Sequence, residues 1–388
     1  MASPKYTSLE EIDKIYTTLN ESFRSGKTKS IEFRKDQLLK FAYMFSDNIN
    51  NFVETLKQDI GRPSLEALLY VLVFHLRPSV LNDFRSSDAQ TPIGEALWAY
   101  QNLDTWIQPE PVEHLPTEAI FNPVMQKMPK GVSLVITAYN YPLHTLRGMV
   151  GAIAAGCPVV LKPSDLLPAT SALLAEVFPK YLDELLTKRW GHRKLLIIHR
   201  KRVFLTKVLP VMFVGSNKVG TIVATAAGKT LTPITLELGG KNPCFVHSSA
   251  DMNAAAKRIL WGSMFNGGQT CLSPDFVVVL EKDKEFFMTA LLKTYDEFYG
   301  PGTGNPRNSI SHLKPGRTFE RVSNLLRRTK GTIVAGGEID IKEKYIAPTI
   351  VTGVNWEDSL MEEEIFGPIL PIVAVPNYEI AIEKIQQM

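Results

Sequence analysis

The chain reads as an α/β protein built on a parallel sheet, and two observations predict it. From Lys130 onward, short apolar runs alternate with stretches of helical character. The spacing of strand, helix, strand and helix is that of crossover connections between parallel strands. Before that point the texture is helical almost throughout.

The first element lies in "SIEFRKDQLLKFAYMFSDNINNFVETLKQDIG", which sets Phe33, Leu38, Phe41, Phe45, Ile49, Phe52 and Leu56 at helical spacing and stops at Gly61, ahead of Pro63. Residues 65–106 keep a helical pattern, interrupted by "RSSDAQTPIG", which reads as a loop over 85–94. "GVSLVIT" is then a short strand, "HTLRGMVGAIAAG" a helix rich in small residues, "CPVVLKPS" a second strand with its turn, and "ATSALLAEVFPKYL" another helix. "PVMFVGS" leads as a strand into the helix "NKVGTIVATAAGK", and "PITLELGGKNPCFV" gives two strands around a Gly-Gly turn. "ADMNAAAKRILWGSMF" is amphipathic, with Ala256, Ile259, Leu260 and Met264 on one side. It is followed by "FNGGQTCLSPDFVVV", which places Cys271 in a loop between a helix and a strand.

Composition narrows the function classes. At 388 residues and 45% apolar content, the chain has room for two or three domains and a large core. Cys157, Cys244 and Cys271 lie far apart and form no CxxC pair. This argues against a structural zinc site or a disulfide framework, and no metal is expected. The polar start is not a secretory signal, and no apolar run approaches the ~18 residues of a spanning helix. Between Glu184 and Lys207 stand eight Lys or Arg against one acid, a local balance of +7 that leaves the rest at −4 out of the overall +3. The basic character is therefore local, and nucleic acid is not the expected partner.

Several residues carry chemistry. A loop cysteine beside Gly267 and Gly268 suits a nucleophile, since the glycines allow close approach of backbone to a ligand. An inert surface thiol is the plain alternative. Asn140, just after the "GVSLVIT" strand, is either a turn residue or an amide donor to an oxyanion. Glu237, between two leucines, is read as a carboxylate in an apolar setting, which suits a general base. Gly215 and Ser216 open a helix after a strand, a weak anion site, with Gly220 completing a GxxxxG spacing that lacks the lysine of a Walker motif. Lys162 and Asp165 follow a strand end, the edge of an open parallel sheet where nucleotides bind. Ordinary helix capping explains both places equally well.

Taken together, "AYNYPL", "VLKPSD", "FVGSNKVG", "LELGGKNP", "GGQTCLSPDFV" and "EEIFGPILPIV" resemble the aldehyde dehydrogenase superfamily, and "PATSALLAE", "LTPITLELGGKNPC" and "KYIAPTI" resemble its class-three branch of fatty and aromatic aldehyde enzymes. The likeness covers about residues 1–70, 97–183 and 211–388. It implies a Rossmann-type NAD(P)-binding domain over 1–238, with an oligomerisation hairpin near 115–130, and an α/β catalytic domain over 239–388. It implies Cys271 as nucleophile, Asn140 and the Cys271 backbone N–H as oxyanion hole, and Glu237 as activator of the deacylating water. Lys162 and Asp165 would contact the adenosine ribose, and Gly215 and Ser216 the pyrophosphate. Glu364 would hold the nicotinamide ribose, with Phe366 packed near the ring. The implied cofactor is NAD or NADP; Asp165, which repels a 2′-phosphate, tilts the expectation toward NAD. The implied substrate is a long-chain aliphatic or aromatic aldehyde.

The chain also departs from that pattern. The basic segment near 183–209 matches nothing in the superfamily, which suggests an altered gene product, and 85–94 interrupts an expected helix. The family pattern continues for several dozen residues beyond the position of Met388, so the catalytic domain and the oligomerisation region are expected to be incomplete. The homodimer of the family is expected to be weakened accordingly. The expected location is cytoplasmic, without a membrane anchor. Two alternatives stand beside the dehydrogenase: an inactive truncated relative, and a cysteine hydrolase that pairs Cys271 with a histidine.

Overall fold

The computed structural model describes residues 5–6, 8–64, 66–67, 90–113, 115–184, 194–195, 210–301, 307, 309–314 and 316–388. Most of the basic segment, and residues 85–89, lie outside them. The chain divides into two compact units: residues 1–59 with 67–238, and residues 60–66 with 239–388.

The first unit begins with helices α1 (Leu9–Arg24), α2 (Ile31–Asp47) and α3 (Ile49–Ile60). Ser8 and Ser30 start the first two by accepting backbone N–H bonds from Glu11 and Phe33, each at 3.2 Å. The long helical run divides at Asn48, whose amide turns back to the Met44 carbonyl at 2.9 Å. Helix α4 (Thr91–Trp106) corrects the loop reading of 85–94, because the last four residues of that stretch are the first turn of a helix. Pro92 lies in that turn, where a missing N–H costs no helical bond.

The sheet of this unit has strands β1 (Ser133–Ile136), β2 (Val159–Lys162), β3 (Val211–Val214) and β4 (Ile234–Glu237), all parallel, in the order β2-β1-β3-β4. Helices α5 (Arg147–Ala155), α6 (Pro168–Tyr181) and α7 (Asn217–Gly228) supply the crossovers that parallel strands require. Alternation sorts the strand residues onto two faces. Val135, Val159 and Leu161 join Phe41, Phe45 and Phe52 in one core, and Leu134, Ile136, Val160 and Phe213 join Ile12, Ile15 and Leu19 in another. Residues buried on both faces explain why these strands read as continuous apolar runs. Between α4 and β1, Glu110–Pro111 pairs antiparallel with Val124–Met125, and Leu115, Ile120, Phe121 and Met128 nearby are exposed.

The second unit holds strands β5 (Pro243–Val246), β6 (Phe276–Leu280), β7 (Thr332–Ala335), β8 (Thr349–Thr352) and β9 (Ile369–Val375), in the order β7-β8-β9-β6-β5. Only β7 is antiparallel to its neighbour. Helix α8 (Met252–Met264), capped by Asp251, buries Ala256, Ile259, Leu260 and Met264 as the periodicity predicts. With α9 (Lys284–Tyr299) it covers one face of the sheet, over Val277, Val279 and Leu370. Helix α10 (Arg317–Arg328) covers the other, over Phe276, Val278 and Val373.

Candidate active site

Cys271 is half-buried in the loop between α8 and β6. The loop backbone is unusual. Asn266, Gly267 and Gly268 all adopt left-handed conformations, with φ of 57°, 62° and 71°. A side chain at Gly268 would place its Cβ 2.1 Å from the Gly367 carbonyl oxygen, so only glycine allows the two backbones to meet. After the cysteine, Asn242 is the anchor. Its amide donates to the carbonyls of Cys271 at 2.7 Å and Ser273 at 3.0 Å. Its own carbonyl accepts from the Asp275 N–H at 3.0 Å. The Ser273 hydroxyl ties the turn back to the end of α8 through the Gly262 carbonyl at 3.0 Å.

The "EEIFGP" loop is held in the same unit. Arg321 donates to the carbonyls of Glu364 at 2.9 Å and Ile365 at 2.6 Å. Asp275, buried, accepts the Ile365 N–H at 2.9 Å and pairs with Lys241, which also donates to the Leu360 carbonyl at 2.7 Å. Burial pushes the Asp275 carboxyl up and the Lys241 ammonium down, each against the pull of the other's charge. The Glu364 carboxylate is packed onto Gly239, where an added Cβ would lie 2.1 Å from Oε2. Burial, and then the Asp275 charge, push its pKa up to about 7, while the Gly240 N–H, Arg321 and Lys241 pull the other way. Among the described residues, its buried Oε1 has no hydrogen-bond partner. An acceptor left open in this way fits a ribose hydroxyl, so Glu364 suits a nicotinamide cofactor. Phe366 comes two residues later, with a positive φ of 49°.

The remaining sequence-identified residues belong to the first unit. Asn140 is buried in the loop after β1. Lys162 ends β2, and its ammonium lies 3.5 Å from Asp165, whose side chain is 53% exposed. The Gly215 N–H donates to the Glu237 carbonyl at 3.0 Å, which places the turn after β3 beside the end of β4. Ser216 stands at the N-cap of α7, yet its hydroxyl makes no capping bond. Gly220 is buried and lets α7 pack on Leu238, since a Cβ there would meet Leu238 Cδ2 at 2.8 Å. Glu237 corrects an expectation. It is exposed, not enclosed by its leucine neighbours, because alternation on β4 turns Leu236 toward the core and Glu237 toward solvent.

Residues given no role in the motif reading also shape this site: Asn242, Asp275, Lys241 and Arg321. Their signal is weak. A lysine and an aspartate in "GGKNP" and "SPD" announce burial only once the chain path is known. Two histidines that a hydrolase could pair with Cys271, His144 and His247, are engaged elsewhere. His247 bonds Ser249 at 2.8 Å and lies against the Tyr378 ring, and His144 lies 3.2 Å from both Thr91 and Arg147. Among the described residues, no group of three His, Cys, Asp or Glu is arranged to hold a metal, and no helix is long and apolar enough to cross a membrane.

The profile of the aldehyde dehydrogenase family matches residues 1–387. The chain belongs to this family. It is 38% identical over 376 residues to aldehyde dehydrogenase family 3 member B1 of Rattus norvegicus, covering 95% of this chain and 74% of the relative. It is 36% identical over 370 residues to the dimeric NADP-preferring aldehyde dehydrogenase of the same organism, covering 95% and 76%. The substrate-bound structure of Staphylococcus aureus AldH superposes with a TM-score of 0.84 at 30% identity, covering 97% of this chain and 78% of that one. The chain is thus an NAD(P)-dependent oxidoreductase of the aldehyde dehydrogenase fold.

Proposed function

We propose that this family member oxidises long-chain aliphatic or aromatic aldehydes to carboxylic acids with Cys271 as its nucleophile. The observation that carries the assignment is the mount of Cys271: a half-buried thiol after three left-handed residues, with its own carbonyl held by Asn242. Relatives named as family 3 aldehyde dehydrogenases support an aldehyde as substrate.

The Cys271 thiolate attacks the carbonyl carbon and forms a thiohemiacetal. Asn140 and the Cys271 N–H donate to the developing oxyanion. NAD(P), when bound, would supply the acceptor for the hydride that this adduct loses in becoming the Cys271 thioester. Glu237 takes a proton from water, which attacks the thioester carbonyl, and the acid leaves as the thiol is restored. The exposure of Glu237 keeps it among the solvent that provides that water. Lys162 and Asp165 bind the adenosine ribose. Gly215 and Ser216 meet the pyrophosphate, and Gly220 lets their helix pack closely. Glu364 accepts from the nicotinamide ribose, and Phe366 packs beside the ring. The acid at 165 favours NAD over NADP. These roles divide the chain into a cofactor-binding domain over 1–238 and a catalytic domain over 239–388, and the name of the dimeric relative supports a homodimer, weakened as the sequence suggests. The inactive alternative has no observation in its favour.

The test is formation of NADH or NADPH by the purified chain with a series of aldehydes of increasing length, beside Cys271→Ala. Turnover lost in the variant is the expected result. Turnover that survives the substitution removes Cys271 from the chemistry.

A further inference from the structure

The second unit contains a short piece of distant chain, residues 60–66, grouped with residues 239–388. This piece carries two charged residues into the interior. Arg62 is 1% exposed and Glu66 is 9% exposed. Burying an arginine and a glutamate costs several kcal/mol for each ion unless their bonds are well made, and an apolar pair fills such space at lower cost. The question is what their polar groups do.

Both converge on Asn266, the non-glycine member of the left-handed run that leads to Cys271. Glu66 Oε1 accepts the Asn266 backbone N–H at 3.1 Å, and Arg62 Nη2 donates to Asn266 Oδ1 at 2.7 Å. The rest of the asparagine is engaged as well. Its Nδ2 donates to the Gln269 carbonyl at 3.1 Å, and Gln269 Nε2 returns a bond to the Asn266 carbonyl at 3.0 Å. The Gln269 amide also donates to the His312 carbonyl at 3.2 Å, while the Ser311 hydroxyl braces Glu66 Oε2 at 2.5 Å. The far end of the piece is fixed by the His312 N–H, which donates to the Ile60 carbonyl at 3.0 Å. The left-handed conformation is disfavoured for a residue with a Cβ, by about 1–2 kcal/mol. Here the backbone N–H and both side-chain atoms of Asn266 are bonded only while it is kept.

We propose that Glu66 and Arg62 are positioning residues that act through Asn266 to fix the turn that aims the Cys271 thiol. The proposal rests on the reading of Cys271 as nucleophile. The bonds that carry this role run to Asn266 and Ser311 rather than to Cys271. Glu66 fixes the backbone of the turn, Arg62 its side chain, and Ser311 the carboxylate that does the fixing.

The test uses the full chain with Glu66→Ala, Glu66→Gln and Ser311→Ala. Three quantities are read: cooperative melting, kcat with the KM for NAD, and the rate at which iodoacetamide alkylates Cys271, located by peptide mass. Glu66→Ala is expected to lower kcat by about tenfold to a hundredfold, the size of effect that misplacing a reacting group by about an ångström produces. The alkylation rate falls with it, and the KM for NAD is unchanged. Glu66→Gln keeps an acceptor for the Asn266 N–H and stays within about threefold of wild type. Ser311→Ala, which removes one brace, costs about threefold to tenfold. If Glu66→Ala does not fold, the serine variant decides. A Glu66→Ala or Ser311→Ala protein that melts cooperatively and alkylates at the wild-type rate overturns the proposal. Absence of wild-type turnover with any aldehyde would count against the dehydrogenase reading instead, and the alkylation comparison would still report on the mount.

Discussion

The loop that carries Cys271 and the strand ends that carry Lys162 and Ser216 are built on opposite plans. In the first, nearly every polar group has a specific partner in the interior: Asn242 for the carbonyls, Glu66 and Arg62 for Asn266, and a backbone contact that only Gly268 permits. In the second, the one ion pair is long and half open to water, and the N-cap hydroxyl is unused for capping. A long pair with its carboxylate open to water contributes little, about 0–1 kcal/mol where both partners are exposed. The contrast teaches where rigidity is placed. On the proposed roles, a covalent nucleophile needs a fixed direction, whereas a phosphate or ribose is held by donors that settle around it when it arrives.

The comparison is broken most severely at Gly268. Gly268→Ala sets a Cβ against backbone that cannot yield and imposes left-handed strain, so a loss above about 4 kcal/mol or failure to fold is expected in urea unfolding. Asp275→Asn comes next. It leaves the Lys241 charge buried without its counter-ion, and a loss of about 3 kcal/mol is expected by the same measurement. A melt as stable as wild type would mean that the pair holds nothing.

Glu364 gives a pH-dependent effect of smaller size. Its folded value of about 7 lies above the ordinary 4.5, so the folded chain holds this proton more tightly than the unfolded chain does. The stabilisation is therefore complete below about pH 4.5 and is lost as pH rises through about 7. Thermal melts of wild type and Glu364→Gln across that window should diverge, with wild type falling more steeply. Parallel curves would show that burial and the Asp275 charge do not raise this carboxyl as described. The smallest effect is expected in the looser region. Gly220→Ala crowds the flexible end of Leu238 and touches the Phe213 ring at an ordinary contact distance, and a cost of about 1 kcal/mol should appear in the unfolding midpoint, well below that of Gly268→Ala.

Much of the fold is legible because it is written in local periodicity. The runs at Ser133–Ile136, Val159–Lys162, Val211–Val214 and Phe276–Leu280 are strands, the small-residue stretches between them are helices, and Cys271 lies in the expected loop. The loop reading fails at residues 91–94 because Thr and Pro mark a loop as readily as a helix start, and only the packing of the longer helix tells the two apart. The enclosed reading of Glu237 fails because two neighbouring leucines say nothing about which face of a strand a carboxylate takes.

The sequence by itself determined the alternation of strands and helices and the glycines beside the thiol, since apolar spacing and φ preference act within a few residues. Only the tertiary structure decided that Glu364 lies on Gly239, that Lys241 meets Asp275, and that Arg62 reaches Asn266 across 204 positions of chain. The physical reason is that a buried polar group must find a partner, and no local rule says where along the chain that partner stands.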